Sequence, residues 1–291
     1  MSGPHHVVHP REMDHAERRA RAAYARAIED RRVLLSSCHI PPRYAAEWSE
    51  RGAYLAVKAH GVRQAKVQSW RRGTVRSFSF RSRTRLLRLL AQCDRQQTSQ
   101  SLFVTLTYPR SFPTASSTYK RHLEMFAKRL LRRFPRASAI WKLEFQSRGA
   151  PHYHLIILGV NYMAHQWVNR QWSEIISGEK SAGKKARTEV RRVEHYRRTI
   201  SYAAKYVAKV QGTESAEHPG RYWGIFGRES LPCYLQFERL SERGFHRLAR
   251  TIRKLIASRS RGRKHGRFAA RWAIVHGERA AVLARWASAV S

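Results

Sequence analysis

The clearest patterns of hydrophobic and polar positions lie between residues 100 and 257. Residues 102–107 alternate in the two-residue period of a strand before Tyr108-Pro109 ends the run. Further strands are predicted at 138–146, 152–158, 188–193 and 233–238, and helices, from apolar residues at helical spacing, at 117–134, 163–177, 196–210 and 242–257. This order predicts an α+β fold in which helices pack on a central antiparallel sheet of about five strands.

The two ends of the chain show different patterns. Residues 1–99 are basic and are predicted to be mainly helical, with a helix at 11–32 and shorter helical pieces after it. The charge run at 258–267 predicts a flexible basic linker, and 268–290 an amphipathic helix. We therefore expect a helical basic N-terminal region at 1–99, the ordered domain at 100–257, and a linker with a C-terminal helix at 258–291.

The charge of the chain points to a polyanionic partner. There are 57 Lys and Arg residues against 20 Asp and Glu, a formal net charge of +37, and eight Trp, twelve Tyr and eleven Phe are interleaved with them. Cations hold phosphates and aromatic rings stack on unpaired bases, so single-stranded nucleic acid is the expected partner. Three scattered cysteines and the lack of any long apolar run predict a soluble cytoplasmic protein with no membrane partner.

A His-x-His pair is the first candidate for chemistry. His152 and His154 flank Tyr153 in a predicted strand, so the two imidazoles share one face. If Glu144 on the preceding strand lies on that face, two imidazoles and a carboxylate make a site suited to Mg²⁺ or Mn²⁺ holding a phosphate oxygen. Two alternatives stay open: histidines on a solvated strand face are commonly inert, and Glu144 can simply pair with an arginine.

A pair of tyrosines is the second candidate. Tyr202 and Tyr206 lie one turn apart on a predicted helix, and Lys205 and Lys209 each follow a tyrosine by three residues. A phenol has a pKa of about 10, so it needs a nearby cation or metal to act as a nucleophile. The alternative is an amphipathic helix that buries both rings. Together with the metal site, the tyrosines predict DNA cleavage that leaves a 5′-phosphotyrosine and a free 3′-hydroxyl.

Three motifs in this order resemble those of the HUH endonucleases, the rolling-circle replication initiators of small phages and plasmids. They are 103–109, then Glu144 with His152-Tyr153-His154, then Tyr202-Ala-Ala-Lys205-Tyr206. The resemblance covers about residues 100–240, and it implies a ferredoxin-like or RRM-like sheet. The paired tyrosines are similar to those of the gene A type initiators of microviruses, in which the two alternate as nucleophiles.

The resemblance also implies roles for individual residues. The implied metal ligands are Glu144, His152 and His154, and the implied catalytic residues are Tyr202, Tyr206 and Lys205. The stretch 219–228 is similar to a segment found in phage and plasmid replication proteins, and it suggests an aromatic and basic surface facing DNA. The expected nucleic-acid-binding residues are Lys209, Arg221, Tyr222, Trp223 and Arg228.

The resemblance implies partners as well. We expect the chain to nick and rejoin single-stranded DNA at a replication origin, in the form of a hairpin, in the cytoplasm of a bacterial host. Residues 182–185 lack the pattern of a phosphate-binding loop, so a host helicase and DNA polymerase are implied.

Two alternatives to an initiator remain at this level. The first is a relaxase or a transposase of the same superfamily. Relaxases commonly place the tyrosine ahead of the histidine motif, whereas here it follows, so the order favours replication or transposition. The second is a non-enzymatic protein that binds single-stranded nucleic acid by charge and stacking, although it leaves the order of the three motifs unexplained.

Overall fold

The computed structural model describes residues 43–59, 78–177, 186–193, 219–259 and 271–289. The chain divides into two units, Met1–Arg43 and Tyr44–Ser291, and every described residue except Arg43 belongs to the second. The described strands are β1 (Tyr44–Ser49), β2 (Leu55–Ala59), β3 (Leu102–Thr107), β4 (Ser138–Phe145), β5 (Pro151–Leu158), β6 (Arg187–Arg192), β7 (Trp223–Phe226), β8 (Leu235–Leu240) and β9 (Trp272–Ala273). The described helices are α1 (Phe80–Gln92), α2 (Arg95–Ser99), α3 (Ser116–Arg133), α4 (His165–Ser177), α5 (Glu242–Arg259) and α6 (Gly277–Ser288). None of these helices has the length and apolar character needed to cross a membrane.

Strands β3 to β7 form an antiparallel five-stranded sheet in the order β6-β3-β5-β4-β7. Its first four strands alternate with α3 and α4 in the βαββαβ sequence of a ferredoxin-like fold. The α+β class and the antiparallel sheet of five strands are therefore confirmed. Strand β5, which carries the histidine pair, is the middle strand of the sheet.

One face of this sheet makes the main hydrophobic core. Alternate residues of β5, Tyr153 and Leu155 among them, point into a cluster that includes Leu123 and Phe126 of α3 and Trp172 of α4. Apolar residues recur along α3 at three- and four-residue spacing, so the helix buries a continuous stripe against the sheet. Two helices therefore cover one face and fix which side chains of β5 point to the other.

The opposite face is apolar at one end and polar at the other. Ile140, Ile156 and Leu158 pack against Leu86 and Leu90 of α1. Toward the other end of the same strands, the side chains on this face become polar, and the histidine pair lies there. Helix α1 thus covers the apolar end of the face.

The remaining strands form a second antiparallel sheet in the order β8-β1-β2-β9. Helices α5 and α6 pack on one face of it around a second core that includes Trp48, Leu55, Leu248 and Ala284. The prediction of a strand near 233–238 is confirmed as an element. That strand, β8, pairs with β1 in this second sheet and is not the fifth strand of the sheet that carries the histidines.

The fifth strand of the histidine sheet is instead β7, in the segment predicted to be a DNA-facing surface. It pairs with β4 because Gly224 leaves room for the Trp141 ring, three atoms of which lie 2.9 Å from where a Cβ would stand. Strands β1 and β2 also replace part of the helical structure predicted in the N-terminal region. The second sheet thus draws on all three predicted regions, and their limits stay predictions. The helices predicted at 11–32 and 196–210 lie outside the described residues.

Candidate functional site

The polar end of the five-stranded sheet brings together side chains from three neighbouring strands. In the β4–β5 hairpin Glu144 lies opposite His152, and Lys142 lies opposite His154. Paired residues of antiparallel strands point to the same face, so Glu144 shares a face with both histidines. This is the condition that the sequence left open for the proposed ligand set.

Threonine hydroxyls of β3 meet one nitrogen of each imidazole. Thr107 Oγ1 lies 2.9 Å from His152 Nδ1, and Thr105 Oγ1 lies 3.4 Å from His154 Nδ1. The two imidazole centroids are 4.4 Å apart, and the Phe103 ring stacks on His154 at 5.4 Å. When Nδ1 carries the proton and donates it to the hydroxyl, Nε2 is the nitrogen that can ligate a metal.

Glu144 contacts both a histidine and a lysine. Its Oε1 accepts a hydrogen bond from Lys142 Nζ, and its Oε2 lies 3.6 Å from His154 Nε2. Glu144 and Lys142 are both buried. A buried carboxylate needs such a cation to offset the loss of its hydration. The two oxygens of Glu144 therefore have different partners, and Oε2 is the one directed toward the histidines.

Burial and neighbouring charges set the protonation of this cluster. Burial lowers the pKa of His152 to about 4, with His154 and Arg148 adding to the decrease and Glu144 opposing it. Burial alone would raise the pKa of Glu144, but its hydrogen bond with His154 and the charge of Lys142 outweigh this and lower the pKa to about 2. At neutral pH His152 is uncharged and Glu144 is ionised, the forms in which both groups ligate metals.

Glu144, His152 and His154 fit a divalent metal by their chemistry. Two imidazoles and one carboxylate, with each imidazole oriented by a hydroxyl, are a ligand set of mixed nitrogen and oxygen donors that leaves positions open for a phosphate. Among the described residues no group of three or more His, Cys, Asp and Glu side chains is already arranged as a metal site. The cation that Glu144 contacts here is the ammonium group of Lys142.

An open groove of about 380 Å³ runs from the histidine pair across β3 to β6. Its far wall includes Arg187 and Arg191, both exposed, together with Glu189, which pairs with Arg191. A groove with a histidine pair at one side and guanidinium groups at the other is suited to a phosphate-bearing ligand.

The other predicted site residues are placed only in part. Tyr202, Lys205, Tyr206 and Lys209 lie outside the described residues, so their roles stay predictions. Helix 196–210, on which they are predicted, follows β6 directly in the chain. Its start therefore lies close along the chain to the strand that forms the far wall of the groove.

The predicted DNA-facing segment divides into exposed and packed residues. Arg221 and Arg228 are exposed, whereas Tyr222 is 5% exposed and its ring stacks on Phe78 at 6.2 Å. Trp223 is half-buried and donates its indole N–H to Ser82 Oγ at 2.9 Å. In this structure the two arginines of the segment face solvent, and the two aromatic rings serve packing.

Sequence analysis gave no role to the threonines or to Lys142. Thr105 and Thr107 belong to the first motif, and the two-residue period of β3 already placed them on one face. Which face that is, and which strand lies beside it, depends on the pairing of β3 with β5. Lys142 carried a signal of the same kind, since it precedes Glu144 by two residues and so shares its face.

These features define an α+β protein with a ferredoxin-like sheet whose middle strand presents paired histidines beside a buried glutamate. Residues 101–211 match the model of a family of replication-associated proteins of the ORF2 type. This segment includes β3 to β6 and the stretch that contains both tyrosines. The match associates the chain with replication.

Similarity to other known proteins is slight. No curated protein matches the chain. Among solved structures, the chain is similar to the crystal structure of the hypothetical protein ORF119 from Sulfolobus islandicus rod-shaped virus 1, with 12% identity over 45% of this chain and 97% of that chain. The TM-score of that match is 0.27, a value that carries no conclusion about fold or function.

Proposed function

We propose that this chain initiates rolling-circle replication by nicking and rejoining single-stranded DNA at a specific site. The observation that supports this most is the strand register, which puts Glu144, His152 and His154 on one face of the sheet together with Thr105 and Thr107. The match of residues 101–211 to replication-associated proteins supports the biological setting. A metal-dependent nickase is the activity that accounts for both.

The ligands of the metal would be His152, His154 and Glu144. Bound Mg²⁺ or Mn²⁺ would supply Lewis acidity toward an oxygen of the scissile phosphate. Thr107 and Thr105 orient the two imidazoles, and burial keeps His152 uncharged. Lys142 holds one oxygen of Glu144 and keeps a positive charge at the edge of the site, where it can also meet a DNA phosphate.

The nucleophile would be Tyr202 or Tyr206. The phenolic oxygen attacks the phosphorus and loses its proton, the bond from phosphorus to the 3′-oxygen breaks, and the departing oxygen takes up a proton to become the 3′-hydroxyl. The DNA stays joined to the protein as a 5′-phosphotyrosine. Attack by a 3′-hydroxyl on that ester reverses the step, so the strand is rejoined without an external energy source. Lys205, between the two tyrosines, would hold the phosphate or lower the pKa of a phenol.

The groove beside the histidines would receive the DNA strand. Arg187 and Arg191 offer guanidinium groups to phosphates on the side away from the histidines. Arg221, Arg228 and Lys209 would add phosphate contacts outside the groove. A single strand at an origin hairpin is the proposed substrate, with a host helicase and DNA polymerase as the proposed partners in the bacterial cytoplasm.

A covalent adduct tests this proposal. The full chain is incubated with a library of single-stranded DNA that has random sequence and hairpin segments, with Mn²⁺ or Mg²⁺ or with a chelator. We expect a denaturant-resistant protein–DNA adduct with either metal and none with the chelator. Sequencing the captured strands would then identify the preferred site.

The same experiment separates the alternatives. DNA binding without any adduct, from a library that covers all short sequences, would favour the non-enzymatic single-strand-binding protein and contradict the proposal. An adduct whose preferred site is the end of a mobile element would favour a transposase, and a site at a transfer origin a relaxase. His152→Ala is the matched control, because it removes one proposed ligand without changing the tyrosines.

A further inference from the structure

The second sheet has a face that neither α5 nor α6 covers. The pairing of Glu47 with both Phe237 and Ala56, and of Ala56 with Trp272, puts these side chains on one face. This face is the one opposite the core that α5 and α6 cover. We call its basic and aromatic part the accessory face, formed by Lys58, Arg88, Phe237, Arg239, Arg271 and Trp272.

Aromatic rings on the accessory face lie beside cations. Phe237 is 59% exposed, and Lys58 Nζ lies 5.6 Å from its ring centroid. Trp272 lines a cavity of about 240 Å³ together with Lys58, Arg88 and Arg271. A single exposed aromatic ring needs no explanation. Rings set beside cations, however, are the combination that stacks on bases and holds phosphates.

The accessory face carries an excess of positive charge. Buried Glu47 receives Arg88 at 3.1 Å, Lys58 and the Tyr54 hydroxyl at 2.8 Å. One carboxylate thus offsets one of two cations. Arg239 and Arg271 are exposed, and neither forms an ion pair with a described residue.

The spacing of the two rings suits an extended ligand. Phe237 on β8 and Trp272 on β9 are separated by three strand-to-strand steps, about 14 Å at the usual distance between neighbouring strands. A base in a duplex is stacked on both sides and cannot cover an isolated ring, whereas an unpaired base can. A basic surface with separated rings therefore matches a single strand better than a duplex.

We propose that the accessory face binds single-stranded DNA, with bases stacked on Phe237 and Trp272 and phosphates held by the surrounding cations. This second site lies on a different sheet from the histidines and goes beyond the proposed nicking activity. It would hold a strand at a distance from the site of cleavage, and it does not depend on a metal or on the tyrosines.

The stacking part is tested by the affinity of the full chain for fluorescent oligothymidylate, with a chelator present so that no adduct forms. Phe237→Ala should weaken binding on the order of 5- to 100-fold, as expected for the loss of one base–aromatic stack, and Phe237→Tyr should restore it. Val282→Ala is the matched control, because Val282 is 64% exposed on α6, on the other side of the sheet. Equal affinities for Phe237→Ala and wild type would overturn the proposal.

The charge part is tested by the salt dependence of the same binding. Arg239→Gln combined with Arg271→Gln should lower the slope of log K against log salt by about 1.4, from about 0.7 for each lost phosphate contact to a single strand. Arg279→Gln combined with Arg285→Gln removes the same charge from the exposed side of α6 and should leave the slope unchanged. An equal decrease in both double variants would mean that overall charge, not this face, binds the DNA.

Photo-crosslinking gives a position for the DNA. An oligonucleotide that contains 4-thiothymidine should crosslink to the peptide that includes residues 235–240, and Phe237→Ala should reduce that crosslink. Crosslinks confined to β3 and β6 would contradict the proposal, although they would agree with the proposed nicking site. If Phe237→Ala changed the sedimentation of the protein and not its DNA affinity, the face would be a contact between copies of the chain, and the proposal would be wrong.

Discussion

Thr107 allows a sharp test of the proposed metal centre. Its hydroxyl lies 2.9 Å from His152 Nδ1, and the residue is nearly buried. Valine has almost the same shape but lacks the hydroxyl, so Thr107→Val removes the partner of the imidazole with little change in packing. His152 then keeps its position on β5 but loses the group that orients its ring.

The expected effect follows from the hydrogen bond that is lost. Removing a hydrogen-bonding partner of a metal-ligating histidine typically costs about 10- to 100-fold in metal affinity. Thr107→Val should therefore weaken Mn²⁺ binding by about that factor. Thr105→Val should have a smaller effect, because the 3.4 Å separation between Thr105 Oγ1 and His154 Nδ1 indicates a weaker hydrogen bond.

Mn²⁺ affinity can be measured by titration calorimetry or by the electron paramagnetic resonance signal of free Mn²⁺. Adduct formation should need more Mn²⁺ in Thr107→Val and approach the wild-type yield when Mn²⁺ is saturating. Thr107→Ser is the control, since it keeps the hydroxyl. Unchanged Mn²⁺ affinity in Thr107→Val would refute the orienting role, and an equal loss in Thr107→Ser would point to packing of the methyl group.

Three further predictions concern catalysis and stability. His154→Ala should abolish nicking but keep most of the salt-dependent DNA binding, which charge supplies; equal loss of both in nicking and binding assays would indicate a structural role. Tyr202→Phe and Tyr206→Phe should each leave some covalent adduct on denaturing gels, and only the double variant should leave none; one inactive and one normal single variant would contradict alternation. Gly224→Ala should lower the free energy of unfolding by about 1–3 kcal/mol, because the new methyl meets the Trp141 ring at 2.9 Å. Urea denaturation measures this, and a variant as stable as wild type would show that the ring can move at no cost.

The elements around the site could be predicted from the sequence because their signals are local. Alternation marks β3 and β5, and apolar residues at helical spacing mark α3 and α4 within a residue or two of their observed limits. The hairpin between β4 and β5 followed from a short turn with Gly149 at φ 80°. These features depend on residues that lie close together in the chain.

The partners of the outer strands could not be predicted in this way. The alternation of β8 predicts a strand, but nothing within it selects β1, almost two hundred residues earlier in the chain, over a strand of the other sheet. Strand β7 is short and contains a glycine, so its pattern is weak, and only packing against Trp141 explains it. The apolar character of a strand shows that it is buried, not against what.

For the site, the sequence alone determined that His152 and His154 share a face and that Glu144 lies on a neighbouring strand. It determined the basic, aromatic composition that predicts a nucleic-acid partner. Only the tertiary structure decided that the hairpin register turns Glu144 toward the histidines, that β3 supplies the orienting hydroxyls, and that Lys142 occupies one carboxylate oxygen. The physical reason is that side-chain direction along a strand follows from a local two-residue period, whereas the pairing between strands is set by the packing of the whole sheet.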